Sequence, residues 1–199
     1  MTRRMPLWRT LLPLRPRGGA FTVMELAVAV AMLSILCGVV IDAGLREWRR
    51  EQVNTVVLEL AGWLESVRRS AIKGYSCTVT IANGENGSFP RMNGDALATV
   101  RTEAGGACGT VGTFHLTGVN SSPGFLVTTT NGSGSMTFTP AGTLFLADST
   151  QRDKMPLVIR VSLNDHNPDP ERCLQLEGML GLIDVGPYRN GTCEIGGKY

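Results

Sequence analysis

From Phe21 to Ile41 the chain reads FTVMELAVAVAMLSILCGVVI, apolar on every side of a helix with Glu25 as its sole charge. At about 1.5 Å per residue such a run spans roughly 30 Å, the thickness of a bilayer's hydrocarbon core. The pattern then changes character. Through LREWRREQVNTVVLELAGWLESVRRSAIK, the residues Val53, Val57, Leu60, Leu64, Val67 and Ala71 recur every three or four positions, which makes one helical face apolar. No proline lies between Ala20 and Pro90. The spacing therefore predicts a single helix ending at Lys73-Gly74, about fifty residues or roughly 75 Å long. A kink at Gly44, or an anchor followed by a separate helix, would give the same pattern.

After Gly74 the period drops to two. The runs YSCTVTI, LATVRT, GTFHLTGV, FLVTTT, SMTFTPAGTLFLA, PLVIRVSL and RCLQLEGMLGLIDVG read as short strands. Several are divided by turn dipeptides at Asn83-Gly84, Asn86-Gly87, Asn93-Gly94, Asn131-Gly132 and Asn190-Gly191. The expected fold is α+β: a long N-terminal helix with a membrane-embedded first half, packed on an antiparallel β-sheet or β-sandwich.

Composition refines this picture in two places. The formal net charge of +2 is unevenly spread, because Arg3, Arg4, Arg9, Arg15 and Arg17 all fall in the first twenty residues, leaving 14 basic against 17 acidic residues beyond them. The remainder is mildly acidic, which argues against a nucleic-acid coat protein. Of five cysteines, Cys37 sits in the apolar run, while Cys77, Cys108, Cys173 and Cys193 are scattered without C-x-x-C spacing. In a Gly-rich β region behind a membrane segment this predicts two disulfides in an oxidising compartment rather than zinc. Four cysteines allow three connectivities. The local one, Cys77 with Cys108 and Cys173 with Cys193, is expected because each bridge ties a strand to the irregular segment after it.

The first twenty residues, MTRRMPLWRTLLPLRPRGGA, are basic and interrupted by Pro6, Pro13 and Pro16. They read as a leader. A secretory signal places its small residues after the hydrophobic stretch, whereas Gly18, Gly19 and Ala20 precede it here. The string GGAFTVMELAVAVAML resembles the class III signal of type IV prepilins. That resemblance implies cleavage on the cytoplasmic side between Ala20 and Phe21, N-methylation of Phe21, and an assembly role for Glu25, the fifth residue of the processed chain. Ala20 stands where the family most often has glycine. Further along, LESVRRSAIKGYSCTVTI, MTFTPAGTLFLA with Phe138, Pro140 and Gly142, and the closing strands PLVIRVSL and RCLQLEGMLGLIDVG resemble the GspH/FimT-type minor pseudopilins and pilins. The implied organisation is a cleaved leader over residues 1–20, a transmembrane half-helix over 21–44, an amphipathic half over 45–73 and a β-rich pseudopilin head over 74–199. The implied function is that of a minor subunit of a type II secretion pseudopilus or type IV pilus. Its partners would be other pilins or pseudopilins, the prepilin peptidase, an inner-membrane assembly platform and, before assembly, the lipid bilayer. The leader would be cytoplasmic and the head periplasmic or extracellular.

Chemistry is sparse by comparison. The two histidines, His115 and His166, fall in no Ser-His-Asp, metal-triad or H-E-x-x-H pattern, and there is no P-loop string. No enzyme and no cofactor are expected. In NDHNPDPE the oxygen-bearing Asp165, Asn167, Asp169 and Glu171 alternate in a way that suits calcium, although Pro168 and Pro170 replace the flexible turn of an EF-hand loop, and a solvated hairpin loop is the better reading. DNA binding, known for some FimT-type pilins, would need Arg152, Lys154, Arg160, Arg172, Arg189 and Lys198 to cluster, so DNA is an unfavoured partner. The remaining alternative is a membrane-anchored receptor with an exported β domain, which needs neither the inverted cleavage site nor Glu25.

Overall fold

The computed structural model describes residues 22–82, 93–102, 108, 112–116, 124–130, 134–146, 156–164, 170–177 and 180–196. By contact the chain divides into two compact units, Met1–Ala43 and Gly44–Tyr199. One α-helix, α1 (Val23–Ile72), supplies residues to both and runs through Gly44 without interruption.

In the first unit α1 begins at a cap. The Thr22 carbonyl accepts the first helical bond, from the Leu26 N–H at 3.1 Å, and the Thr22 hydroxyl accepts the Glu25 N–H at 3.2 Å, so one of the helix's otherwise orphaned donors is satisfied. Every large apolar side chain described from Val23 to Ile41 is exposed, among them Met24, Leu26, Leu33, Ile35, Leu36 and Val40. This part of α1 is long and apolar enough to cross a membrane. A surface of that kind is stable only when lipid or other helices cover it.

In the second unit the expected helical face is buried. Val53, Val56, Val57, Leu60, Leu64, Val67 and Ala71 are at most 1% exposed, and the Trp63 ring packs against Phe114 with centroids 5.9 Å apart. Each such fully buried Val or Leu contributes roughly 1.5–3 kcal/mol. The helix ends where the glycine was expected to end it. Gly74 adopts φ +121, which side-chain-bearing residues rarely adopt, and the Gly74 and Tyr75 N–H groups both return to the Ala71 carbonyl.

Two antiparallel five-stranded sheets follow among the described residues. The first runs β3 (Thr113–His115), β2 (Ala96–Thr102), β1 (Cys77–Ile81), β5 (Ser135–Phe138), β6 (Leu144–Leu146). The second runs β10 (Thr192–Cys193), β9 (Leu182–Arg189), β8 (Glu171–Glu177), β7 (Leu157–Leu163), β4 (Phe125–Thr129). Period-two alternation explains the packing. Cys77, Val79, Ile81, Met136, Phe138 and Leu144 from the first sheet share one core with Phe125, Val127, Leu157, Ile159, Val161, Leu174 and Leu176 from the second and with the α1 face. The β5–β6 hairpin turns at Pro140–Gly142, with Gly142 at φ +75 and the Thr139 and Thr143 hydroxyls 2.6 Å apart.

The closing region departs from the two expected strands PLVIRVSL and RCLQLEGMLGLIDVG, because the second run splits into the antiparallel pair β8 and β9. β9 extends through Pro187 to Arg189, and a fourth strand, β10, returns against it with Thr192 opposite Arg189 and Cys193 opposite Tyr188. Asn190 and Gly191 make the two-residue turn, both at positive φ (51 and 80). That conformation matches the twist of a hairpin and suits Asn-Gly. Cys193 is therefore held by backbone pairing as well as by its disulfide.

Candidate functional site

Of the residues expected to act in processing and assembly, Glu25 lies in the first turn of α1. Ala20 and Phe21 fall outside the described residues. Glu25 occupies the third helical position, where a carboxylate faces the positive end of the helix dipole. Its backbone is engaged by Thr22, while its exposed carboxylate makes no hydrogen bond or ion pair among the described residues. Thr22 was missed by sequence reasoning, although Thr-x-x-Glu ahead of an apolar run is a capping-box signature. Chemically, Glu25 is an acid in an otherwise apolar, exposed helical stretch. Such a group is costly in a bilayer unless an amine or another donor meets it.

The four cysteines of the sheet-bearing unit form two pairs at disulfide distance, Cys77 with Cys108 and Cys173 with Cys193, spanning 31 and 20 residues. These are the local pairs expected from the sequence. Cys77 leads β1, and Cys173 sits within β8 opposite Gly186 of β9. Cys37 is free and exposed on α1.

Glu171 is not placed as a calcium ligand would need. It lies at the start of β8, and its carboxylate is bound by the Arg160 guanidinium from β7. The same guanidinium lies over the Tyr188 ring, 4.9 Å from its centroid. A cation at Glu171 would have to displace that arginine or sit beside its positive charge. Asp165, Asn167 and Asp169 fall outside the described residues. Among the described residues no cluster of three or more His, Cys, Asp or Glu side chains could hold a metal.

The basic residues weighed for DNA are divided by the fold. Arg152, Lys154 and Lys198 fall outside the described residues. Arg160 is committed to Glu171 and Tyr188, and Arg189 lies 3.8 Å from Glu194. Arg172 precedes Cys173, the residue across from Arg160, so strand alternation puts Arg172 and Arg160 on opposite faces. His115 places Nδ1 3.0 Å from the Gly94 carbonyl, a structural contact at a strand end; His166 lies outside the described residues.

The cluster of Arg160, Glu171 and Tyr188 was not foreseen. It draws on three strands, and no local pattern announces such an assembly. The same holds for Gly186. A Cβ there would stand 2.2 Å from the Glu194 carbonyl oxygen, so the chain after β10 crosses directly over this position. Only glycine permits that approach.

Comparison with protein-family models, with curated proteins and with solved structures found no match for the chain.

Proposed function

We propose that the chain is a minor pilin or pseudopilin of the GspH/FimT type, a structural subunit that waits in the inner membrane and then enters a filament through its N-terminal helix. One observation carries the reading: Glu25 is a solvent-facing carboxylate without a side-chain partner among the described residues, three positions into a helix whose other exposed side chains up to Ile41 are mainly apolar. An anchor that only had to hold a domain on a membrane would gain nothing from that charge, because lipid penalises it. A subunit that docks among identical helices gains a polar contact where none other is available, with the α-amino group of a neighbour as its natural partner. Cleavage before Phe21 would leave Thr22 in place, so the helix keeps its cap after processing.

The second unit supports the same reading in a different way. One face of its part of α1 is buried in a core shared with both sheets, and two disulfides brace their strands, which makes it a rigid body to be carried and displayed. The work is done by packing, and the oxidising compartment is the periplasm or beyond. The test is Glu25→Ala, followed by membrane fractionation and by recovery of the chain in sheared filaments. Membrane insertion should be retained and filament incorporation should fall at least ten-fold. Normal incorporation of the variant would remove the basis of the proposal.

A further inference from the structure

We infer that the outer edge of β9, from Leu182 to Val185, docks an extended segment of another protein, which adds a strand there and carries a lysine or arginine between apolar residues. The inference concerns the second unit alone and goes beyond the role proposed for the N-terminal helix.

Two residues acting together leave this edge open. β10 pairs with β9 at Arg189 and Tyr188, and one further bond continues the ladder, from the Glu194 N–H to the Pro187 carbonyl at 3.0 Å. There it stops. Proline has no N–H with which to hold the Glu194 carbonyl in return, and Gly186 has no side chain to keep that carbonyl off the face of the sheet. The chain therefore turns out over Gly186 instead of running on beside Val185. The bridge from Cys193 to Cys173, the residue opposite Gly186, fixes that course. Because Pro187 presents its carbonyl to the β10 side, alternation turns the N–H and C=O groups of Ile183 and Val185 the same way, away from β8. Among the described residues these groups meet no backbone partner, and both residues are only partly buried.

An unpaired edge is a template for a further strand, and its side chains define what that strand must carry. Ile183 and Val185 pack against the core. On the other face stand Leu182, 49% exposed, and Asp184, whose carboxylate makes no hydrogen bond or ion pair among the described residues. Leu180, 63% exposed, extends the apolar surface just before the strand. On β8 the same face presents Gln175 opposite Asp184 and Glu177 opposite Leu182, and the Gln175 amide donates to Glu177 at 2.8 Å. Arg160 on that face is held by Glu171 and the Tyr188 ring. The charge beside the open edge is thus acidic. A side chain added directly across from Asp184 would stand about 5 Å away between Cβ atoms, where an opposite charge is favourable and a like one is not. A second copy is therefore a poor occupant, since the antiparallel register that uses Ile183 and Val185 of both chains sets Asp184 against Asp184. A strand with a base at that place and apolar residues on either side meets both demands.

The full-length chain in phosphatidylcholine nanodiscs, titrated against the fluorescein-labelled peptide SVKVLS, provides the test by fluorescence anisotropy, with empty discs as the blank. The peptide should bind about five-fold more tightly than its counterpart SVEVLS. Methylating the two valine amide nitrogens should abolish binding, because those N–H groups complete the ladder. Val185→Pro removes an outward donor of the edge and should weaken SVKVLS about five-fold. Asp184→Lys, at a partly exposed position, should reverse the order of the two peptides, and it decides the matter even where proline disturbs β9. No binding of either peptide, equal binding of the methylated form, or an unchanged order in Asp184→Lys would overturn the docking site. A parent chain that forms a dimer, and that Val185→Pro returns to the monomer, would place a second copy on the edge and overturn the partner proposed.

Discussion

At Gly186 the fold depends on the absence of a side chain. The backbone after Cys193 crosses over β9 so closely that a methyl group would overlap the Glu194 carbonyl. Backbone cannot step aside as a flexible side chain can, so Gly186→Ala should pull the Asn190–Gly191 hairpin off the sheet and cost about 1–3 kcal/mol. Gly112→Ala is the control, since among the described residues nothing would lie within 4 Å of its Cβ, and it should stay within about 0.5 kcal/mol. Urea denaturation of the two variants reads the difference. Glu171 gives a second residue-level expectation. Because its carboxylate is held by Arg160, millimolar calcium or EDTA should leave Tm unchanged, whereas a calcium site in this loop would raise Tm through preferential binding to the folded state.

Among the elements, the disulfides and the strands they join matter most. The bridge between Cys77 and Cys108 closes 31 residues, and that between Cys173 and Cys193 closes 20. Loop-closure entropy assigns each about 3 to 4 kcal/mol, so the paired Cys→Ser variants should lower stability by similar amounts. Peptide mapping without reductant checks the partners. Elements of this kind were largely legible beforehand. The α1 boundaries followed from the apolar spacing and from Gly74, and β1, β2, β4 and β7 matched runs with clear alternation or β-branched content. Of the run GTFHLTGV, β3 covers Thr113–His115, which pairs with β2 past a register shift between Ala96 and Ala98, and Thr117, Gly118 and Val119 fall outside the described residues. β10 escaped notice because two residues carry no periodicity, although the Asn190-Gly191 turn that makes it was visible. Strand order was beyond reach. β1 lies between β2 and β5, a choice made by Val79 packing beside Val100 and Met136 from distant parts of the chain.

For the molecule as a whole, the candidate site was legible where it depends on neighbouring residues and opaque where it depends on folding. Glu25 stood out as a lone acid in an apolar run, and the structure adds that Thr22 caps it. Arg160, Glu171 and Tyr188 come from three different strands, and only the folded sheet brings them together. The proposed role joins a spanning helix segment, apolar on its surface, to a disulfide-tied unit built for exposure, and it makes one demand that no plain membrane anchor shares: the leader must be removed on the near side of the apolar run. Intact mass and N-terminal sequencing of the membrane-extracted protein test this most directly. The account predicts a chain beginning at Phe21 with one added methyl group. A chain that still begins at Met1, or one cut beyond Ile41, would contradict it.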